Sequence, residues 1–441
     1  MRKCLLLLSV LLLPLLCSAQ EINVWKMGTA TMDYQANWTV SFEDPSTVKQ
    51  STLTGNLLAN NSDQRILSIS VNRPYSLVEE NGELKIIMNL SKVNKTELLS
   101  VNATVLVSYD NRSIRAAPPF PYDASAEMPA ETGLTAATPE MAAKAAEVVN
   151  GSTDALDAIT RLENFVHRHM HYNLAYEHTM LSAAEAYALG EGVCDEYSHL
   201  FISMAKSVGI PARMVTGYVH TGESWGPHGW AEAYVPGYGW LPVDPTYNEI
   251  LNLDATHLRI GSGNDQSEIS ERVMTTGTHE IDVKIEKGHA VTIASSENFA
   301  PFANITMNAS RLEQGENLTL GVENLRDSAA FVPVKFIVQP EVSFVEGNDT
   351  VVYVAPQATV QKSYLLLLPE LQQKEYYGFS VVVESLGSNF GGFFMRMPEP
   401  AGGEEQPGEN PAPPEQPGPP QCALASLILG FGVVFALSKR F

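Results

Sequence analysis

Hydrophobic and polar positions change their period twice along this chain. In residues 20–117, apolar and β-branched residues come in short alternating runs, at 29–34, 38–42 and 101–109. A period of two turns one strand face to a core and the other to water. Asn81-Gly82, inside the strand-like stretch 77–90, is the residue pair a two-residue hairpin favours. This region is expected to form an antiparallel β-sandwich. Ala116-Ala117-Pro118-Pro119 closes it, and 118–135 is read as a linker.

The period then lengthens to that of helices. Thr138 precedes Pro139, a cap followed by the residue suited to a first helical position, and Asn150-Gly151 is a stop signal. Thr153 or Asp154 opens a second helix whose apolar residues Leu156, Ile159, Leu162, Val166 and Met170 share one face. A third is predicted over 194–208, with Tyr197, Leu200, Phe201, Met204 and Val208 buried. Asp195 and Glu196 lie at its N-terminus, Lys206 lies near its C-terminus, and Gly209 and Pro211 follow it. Strands are expected at 212–220, 229–235 and 239–243. From 281 to about 397 the period of two returns, and 264–397 is read as a second, immunoglobulin-like sandwich.

The two ends carry topological signals. Arg2 and Lys3 precede the apolar run 5–16, and Cys17-Ser18-Ala19 offers a cleavage site, so 1–19 reads as a signal peptide. Residues 398–421 are rich in proline, glycine and glutamate and read as an extended stalk. The apolar stretch 422–438, followed by Lys439 and Arg440, reads as a single-pass anchor. The bulk of the chain is thus expected outside a cell membrane. Asn-X-Ser/Thr sequons fall at Asn37, Asn60, Asn89, Asn94, Asn102, Asn111, Asn150, Asn304, Asn308, Asn317 and Asn348. None begins between Gly151 and Ala303, which fits a central unit of a different kind and glycosylated flanks. The formal net charge of −22 argues against a nucleic-acid partner. Leader, sequons, stalk and basic-ended tail together suit an archaeal cell-surface protein.

Of the four cysteines, Cys4 and Cys17 lie in the leader and Cys422 opens the tail, which leaves Cys194 alone in the body. An exported chain that relied on disulfides would hold them in pairs. Cys194 follows Gly190-Glu191-Gly192-Val193 and opens the third helix, where unpaired N–H groups and the dipole favour a thiolate and can hold an oxyanion. Tyr234 paired with Tyr238 across a Val235-Pro236-Gly237 loop sets Glu232 opposite Trp240, Trp230 opposite Pro242 and His228 opposite Asp244. Asp244 would then orient the imidazole that takes the thiol proton.

Gly192-Val193-Cys194-Asp195 with its helix and Gly209-Ile210-Pro211-Ala212-Arg213 resembles the nucleophile segment of the transglutaminase-like superfamily. His228-Gly229-Trp230-Ala231-Glu232 and Gly239-Trp240-Leu241-Pro242-Val243-Asp244-Pro245-Thr246 are similar to its histidine and aspartate strands. Gly229 stands where that family often has alanine. Over 136–263 the resemblance implies a papain-like α+β core with Cys194, His228 and Asp244 as catalytic triad. No cofactor or metal is implied, and the partner is a protein or peptide substrate. Such cores include cross-linkers, peptidases, amidases and inactive members.

Around the triad, Trp225 and Tyr218 are candidates to line the acyl-substrate groove, and Trp230, Glu232 and Trp240 are read as support for the triad strands. His167, His169 and His171 alternate without an evident further metal ligand. Asp254, Asp265 and Glu268 lack ordered calcium-ligand spacing and read as solvated surface. The resulting expectation is a membrane-anchored cysteine enzyme that transfers acyl groups from amides, with hydrolysis ahead of cross-linking. The alternative is a non-catalytic binding or adhesion protein built around a relic core.

Overall fold

The computed structural model describes residues 27–396, apart from 81, 110–111, 270, 279–281, 313–314, 369–376 and 386–387. The expected signal peptide, stalk and anchor lie outside the described residues. Among the described residues no helix is long and apolar enough to cross a membrane.

The central unit is a five-stranded antiparallel sheet in the spatial order Glu249–Ile250, Gly239–Asp244, Trp225–Val235, Ala212–His220, Leu258–Gly263. Four helices accompany it: α1 (Pro139–Val148), α2 (Ala155–His169), α3 (Ala183–Leu189) and α4 (Cys194–Ser207). Side-chain oxygens of Thr138 and Asp154 accept from the first-turn N–H groups of α1 and α2, as their sequence positions require. Helix α3, which the sequence reading did not assign, starts with a reciprocal Ser182–Glu185 capping box and stops at Gly190, whose φ of 67° suits glycine. Helix α4 packs against the histidine strand with Leu200, Phe201 and Met204 in one apolar cluster with Ala231 and Ala233.

The opposite face of the sheet is covered by the first sandwich. Val215, Tyr218, Trp230, Leu258 and Ile260 share a core with Trp38, Leu57 and Val105. The boundary expected at residue 264 is corrected here. Arg272–Gly277 pairs with Val48–Ala59, and Val283–Asn298 pairs along nearly the whole of Met27–Phe42. The physical reason is the alternating face of 283–298, whose Val283, Ile285, Val291 and Ile293 pack into the first core. The first sandwich therefore takes strands from both sides of the central unit. The second, 303–396, consists of two four-stranded sheets with Leu318, Leu320, Val332, Val352, Phe379 and Val381 between them.

Candidate active site

The site is assembled where helix α4 meets the histidine strand. Cys194 is the first residue of α4, behind Val193 in an extended conformation. Glu196, in the same turn, reaches back to accept from the backbone N–H of Val193 (2.9 Å) and of Leu181 (3.1 Å), which fixes how the chain enters the helix. Ser198 donates to Cys194 O (2.9 Å) and also approaches Gly229 O (3.2 Å), so it ties the helix start to the residue after His228.

His228 and Asp244 are buried and hydrogen-bonded, Nε2 to Oδ2, at 2.6 Å. The other carboxylate oxygen, Oδ1, accepts from the backbone N–H groups of Thr246 (2.8 Å) and Tyr247 (3.2 Å). Burial alone would raise the Asp244 carboxyl, but His228 and His257 hold it far below the usual carboxylate range. The expected register is corrected: Val235 pairs with Gly239 and Tyr234 with Trp240, so the loop is Pro236-Gly237-Tyr238 and Glu232 faces Pro242. Both Gly237 and Gly239 have positive φ, which sets the hairpin one residue later on each strand than the single left-handed glycine assumed from sequence. A displacement of two in partner numbering keeps every side chain on its face, so His228 and Asp244 still meet.

Cys194 and His228 line one cavity of about 630 Å³, together with Asp195, Tyr172, Tyr218 and Thr216. Burial and the neighbouring Asp195 carboxylate push the Cys194 thiol up, against a hydrogen bond from the Gly229 backbone. These two effects oppose the thiolate that the helix N-terminus favours. Asp195 is in turn raised by its own burial. Gly229 has a local reason: a Cβ there would lie 2.4 Å from Asp195 Oδ1 and 2.4 Å from Met214 Cε. Alanine there would require both side chains to shift.

Tyr218 lines the cavity and stacks on His289 with centroids 3.9 Å apart. Trp225 is not among the lining residues; it opens its strand ahead of the cavity-lining Pro227 and His228, meets His220 edge-on at 5.4 Å and packs on the first sandwich. Trp230 is buried and stacked on His228 at 5.9 Å. Glu232 is bridged by Arg213 (2.8 Å) and Arg259 and does not line the cavity. Burial would raise its carboxyl, but the two guanidinium groups pull it down to about 2. Trp240 lies under the Arg213 guanidinium at 4.2 Å.

The three alternating histidines diverge. His167 Nδ1 meets Pro245 O at 3.0 Å, His169 is stacked between Phe165 and Tyr187, and His171 is exposed in a short strand. Asp254 and Asp265 are buried, at 1% and 4% exposure, which corrects their reading as solvated surface. Each closes a tight local turn, accepting from Thr256 N and Ser267 N.

Sequence reasoning missed His257, whose Nε2 lies 3.0 Å from Asp244 Oδ2. It also missed the cavity wall supplied by Asn56, Glu271 and Lys287. His257 follows the catalytic-strand candidate by thirteen residues in a polar turn, and its only sequence signal is a histidine placed just before the apolar strand 258–263.

Residues 142–245 match the model of the transglutaminase-like superfamily, and the chain carries that core. An uncharacterized protein of Mycobacterium leprae is 28% identical over 109 residues, covering 22% of this chain and 37% of its own length. A protein-glutamine gamma-glutamyltransferase of Pseudomonas aeruginosa is 31% identical over 101 residues, covering 20% of this chain and 15% of its own. The chain thus spans little more than a third, or less, of these curated relatives. A solved structure from Cytophaga hutchinsonii, provisionally assigned as a cysteine protease, aligns with a TM-score of 0.45 and 17% identity, over 62% of this chain and 93% of that one.

Proposed function

We propose that this protein is an extracellular, membrane-anchored cysteine enzyme that cleaves protein or peptide amides through a thioacyl intermediate, with Cys194, His228 and Asp244 as the reacting set. The observation that carries the reading is the buried His228–Asp244 hydrogen bond at 2.6 Å, opening into the same cavity as Cys194. Nε2 is committed to the carboxylate, which leaves Nδ1 as the nitrogen for the thiol proton. Since burial and Asp195 oppose ionisation of the thiol, the imidazole has to supply the activation. The sulfur adds to the amide carbonyl, His228 passes the proton it took to the leaving amine, and the C–N bond breaks to leave a thioester. Water then adds to the thioester, gives its proton to His228, and the carboxylic acid and free thiol are restored.

Hydrolysis is favoured over transfer to an amine because the cavity wall carries Glu177, His178, Gln266, Glu271 and Lys287, with Glu177 and His178 exposed, and water has access to such a wall. Membrane attachment rests on the leader, sequons, stalk and basic-ended apolar tail of the sequence.

The test is iodoacetamide labelling against pH in wild type, Cys194→Ala and His228→Ala. Labelling of wild type with an apparent pKa well below the ~8.5 of a free thiol, restored towards that value by His228→Ala, is the expected result. Glutamine-containing peptides with and without a primary amine then separate hydrolysis from cross-linking. An unreactive Cys194 would turn the reading to a binding protein with a relic core.

A further inference from the structure

Asp244 serves two histidines. His228 Nε2 and His257 Nε2 both point at Oδ2, at 2.6 and 3.0 Å, and both rings are buried. The other nitrogen of His257, Nδ1, lies 3.1 Å from the backbone carbonyl of Asp254 and 3.5 Å from its carboxylate Oδ2. A carbonyl can only accept, so Nδ1 must carry a proton. A neutral His257 would then present a bare Nε2 to Asp244, and Asp244 would need a proton on Oδ2. Against that arrangement, Oδ1 already accepts from two backbone N–H groups, which favours the ionised carboxylate. The consistent assignment puts protons on both nitrogens of His257.

We propose that His257 is a positioning residue of this site: a permanently protonated imidazolium that shares the Asp244 carboxylate with His228, keeps that carboxylate ionised, and limits how strongly it can hold a proton on His228. The proposal rests on the acyl-transfer reading above. The surroundings agree with it. His257 is faced by Asp244 from the aspartate strand, by Asp254 from its own turn, by Glu249 from the edge strand, and edge-on by Tyr109, Trp230 and Tyr247. Its acidic neighbours raise it well above an ordinary histidine, although burial acts the other way. His228 is faced by Asp244, Asp195, Tyr247 and His257, and shares its cavity with Cys194, whose thiol lies 3.9 Å from Asp195 Oδ1.

The chemical consequence has a sign. An Asp–His pair with no further partner would stabilise the imidazolium strongly and make His228 a reluctant acid towards the leaving amine. A cation on the far side of Asp244 offsets part of that attraction and also favours the Cys194 thiolate. Removing it should raise both the thiol and the His228 titrations, and so move the whole active window to higher pH.

The test is the pH profile of Cys194 labelling in the full chain for wild type, His228→Ala, His257→Gln and His257→Leu, each checked by thermal melting. His257→Gln can still donate to Asp244 but carries no charge. It is expected to keep a reactive thiol whose acid limb lies about one pH unit higher; His257→Leu is expected to lose labelling rate as well. A wild-type low-pH limb that disappears in His228→Ala but stays in place in both His257 variants would overturn the proposal and leave the acyl-transfer reading standing. A wild-type profile indistinguishable from a free thiol would sink both.

Should the variants fail to fold, ¹⁵N-histidine spectra of the Cys194→Ala chain decide the matter. Among its ten histidines, one ring is expected to stay protonated on both nitrogens up to pH 9. Ten rings that all become neutral by then would overturn the proposal.

Discussion

The two β-sandwiches hold the central unit in different ways. The first adds an ionic seam to the apolar core it shares with the sheet. Arg259, on the last core strand, bridges Glu232 of the histidine strand and Glu83 of the sandwich (3.0 Å), while Gln64 brackets it by accepting from Arg259 N and donating to Arg259 O, each at 2.8 Å. The same sandwich sends Asn56 and Lys287 to the wall of the cavity that contains Cys194. The second meets the core without a salt bridge among the described residues, through apolar packing of Phe331 and Val351 and through polar contacts such as Asn248 Nδ2 donating to Asp349 Oδ1 (3.3 Å). Asn164 on α2 donates to Val351 O (2.9 Å) and accepts from Val351 N (2.8 Å) and Thr350 Oγ1 (2.9 Å), in the manner of one more strand edge. None of its residues lines the Cys194 cavity. One sandwich is therefore part of the site and the other is a brace on the helices behind it.

That contrast can be broken. The largest effect is expected at Arg259→Met, which would leave Glu83 as a buried charge without a cation and Glu232 with Arg213 alone, and cost about 3–5 kcal/mol. Urea unfolding measures it, and a loss below ~1 kcal/mol would mean that the ionic seam is incidental. Asn164→Ala should cost about 1–3 kcal/mol through unsatisfied groups on Thr350 and Val351. It should leave the Cys194 labelling rate as in wild type; a slowed rate would show that the second sandwich acts on the site after all.

The smallest effect concerns Glu163 on the same helix. Its carboxyl is fully buried with no hydrogen-bond partner for either oxygen, and burial, with Asp244, Asp349 and Glu249 nearby, raises it well above its ordinary value. A carboxyl held neutral in the fold favours folding below its unfolded pKa of ~4.5, and that contribution is lost as pH rises towards the folded value. Glu163→Gln should therefore gain melting temperature relative to wild type as pH rises from acid towards neutral. A difference between the two that does not change with pH would mean that Glu163 is not held neutral in the fold.

What was legible in the sequence was local. The helix starts at Thr138, Asp154 and Cys194 announce themselves by capping and by apolar spacing within one or two turns. The histidine and aspartate strands lie in one hairpin, so their pairing needed only a loop length. The error in that loop did no damage to the site, because the displacement preserved which face His228 and Asp244 occupy. The rest was illegible because the partners are far apart along the chain. Arg259 and Glu83 are 176 residues apart, and Gln64 and Arg259 are 195 apart. The run 283–298 reads as a strand in isolation, but nothing in its alternation says which of two sandwiches it joins. His257 is a single polar residue whose meaning appears only when its turn is folded under Asp244. The acids Asp254 and Asp265 look like surface for the same reason: their turns are buried by neighbours that no short window includes.

The return of residues 272–298 to the first sandwich also dictates an order of events during synthesis. Met27–Phe42 leaves the ribosome early, yet one of its two flanking partners, Val283–Asn298, follows more than two hundred residues later. Until then Thr96–Ser108 is the one native partner available to it, and its other edge has none. The catalytic unit is made in that interval, as a loop thrown out of an unfinished sheet. The late strand therefore closes the candidate site as well as the sandwich, because the segment that completes the sheet also delivers Lys287 to the cavity wall.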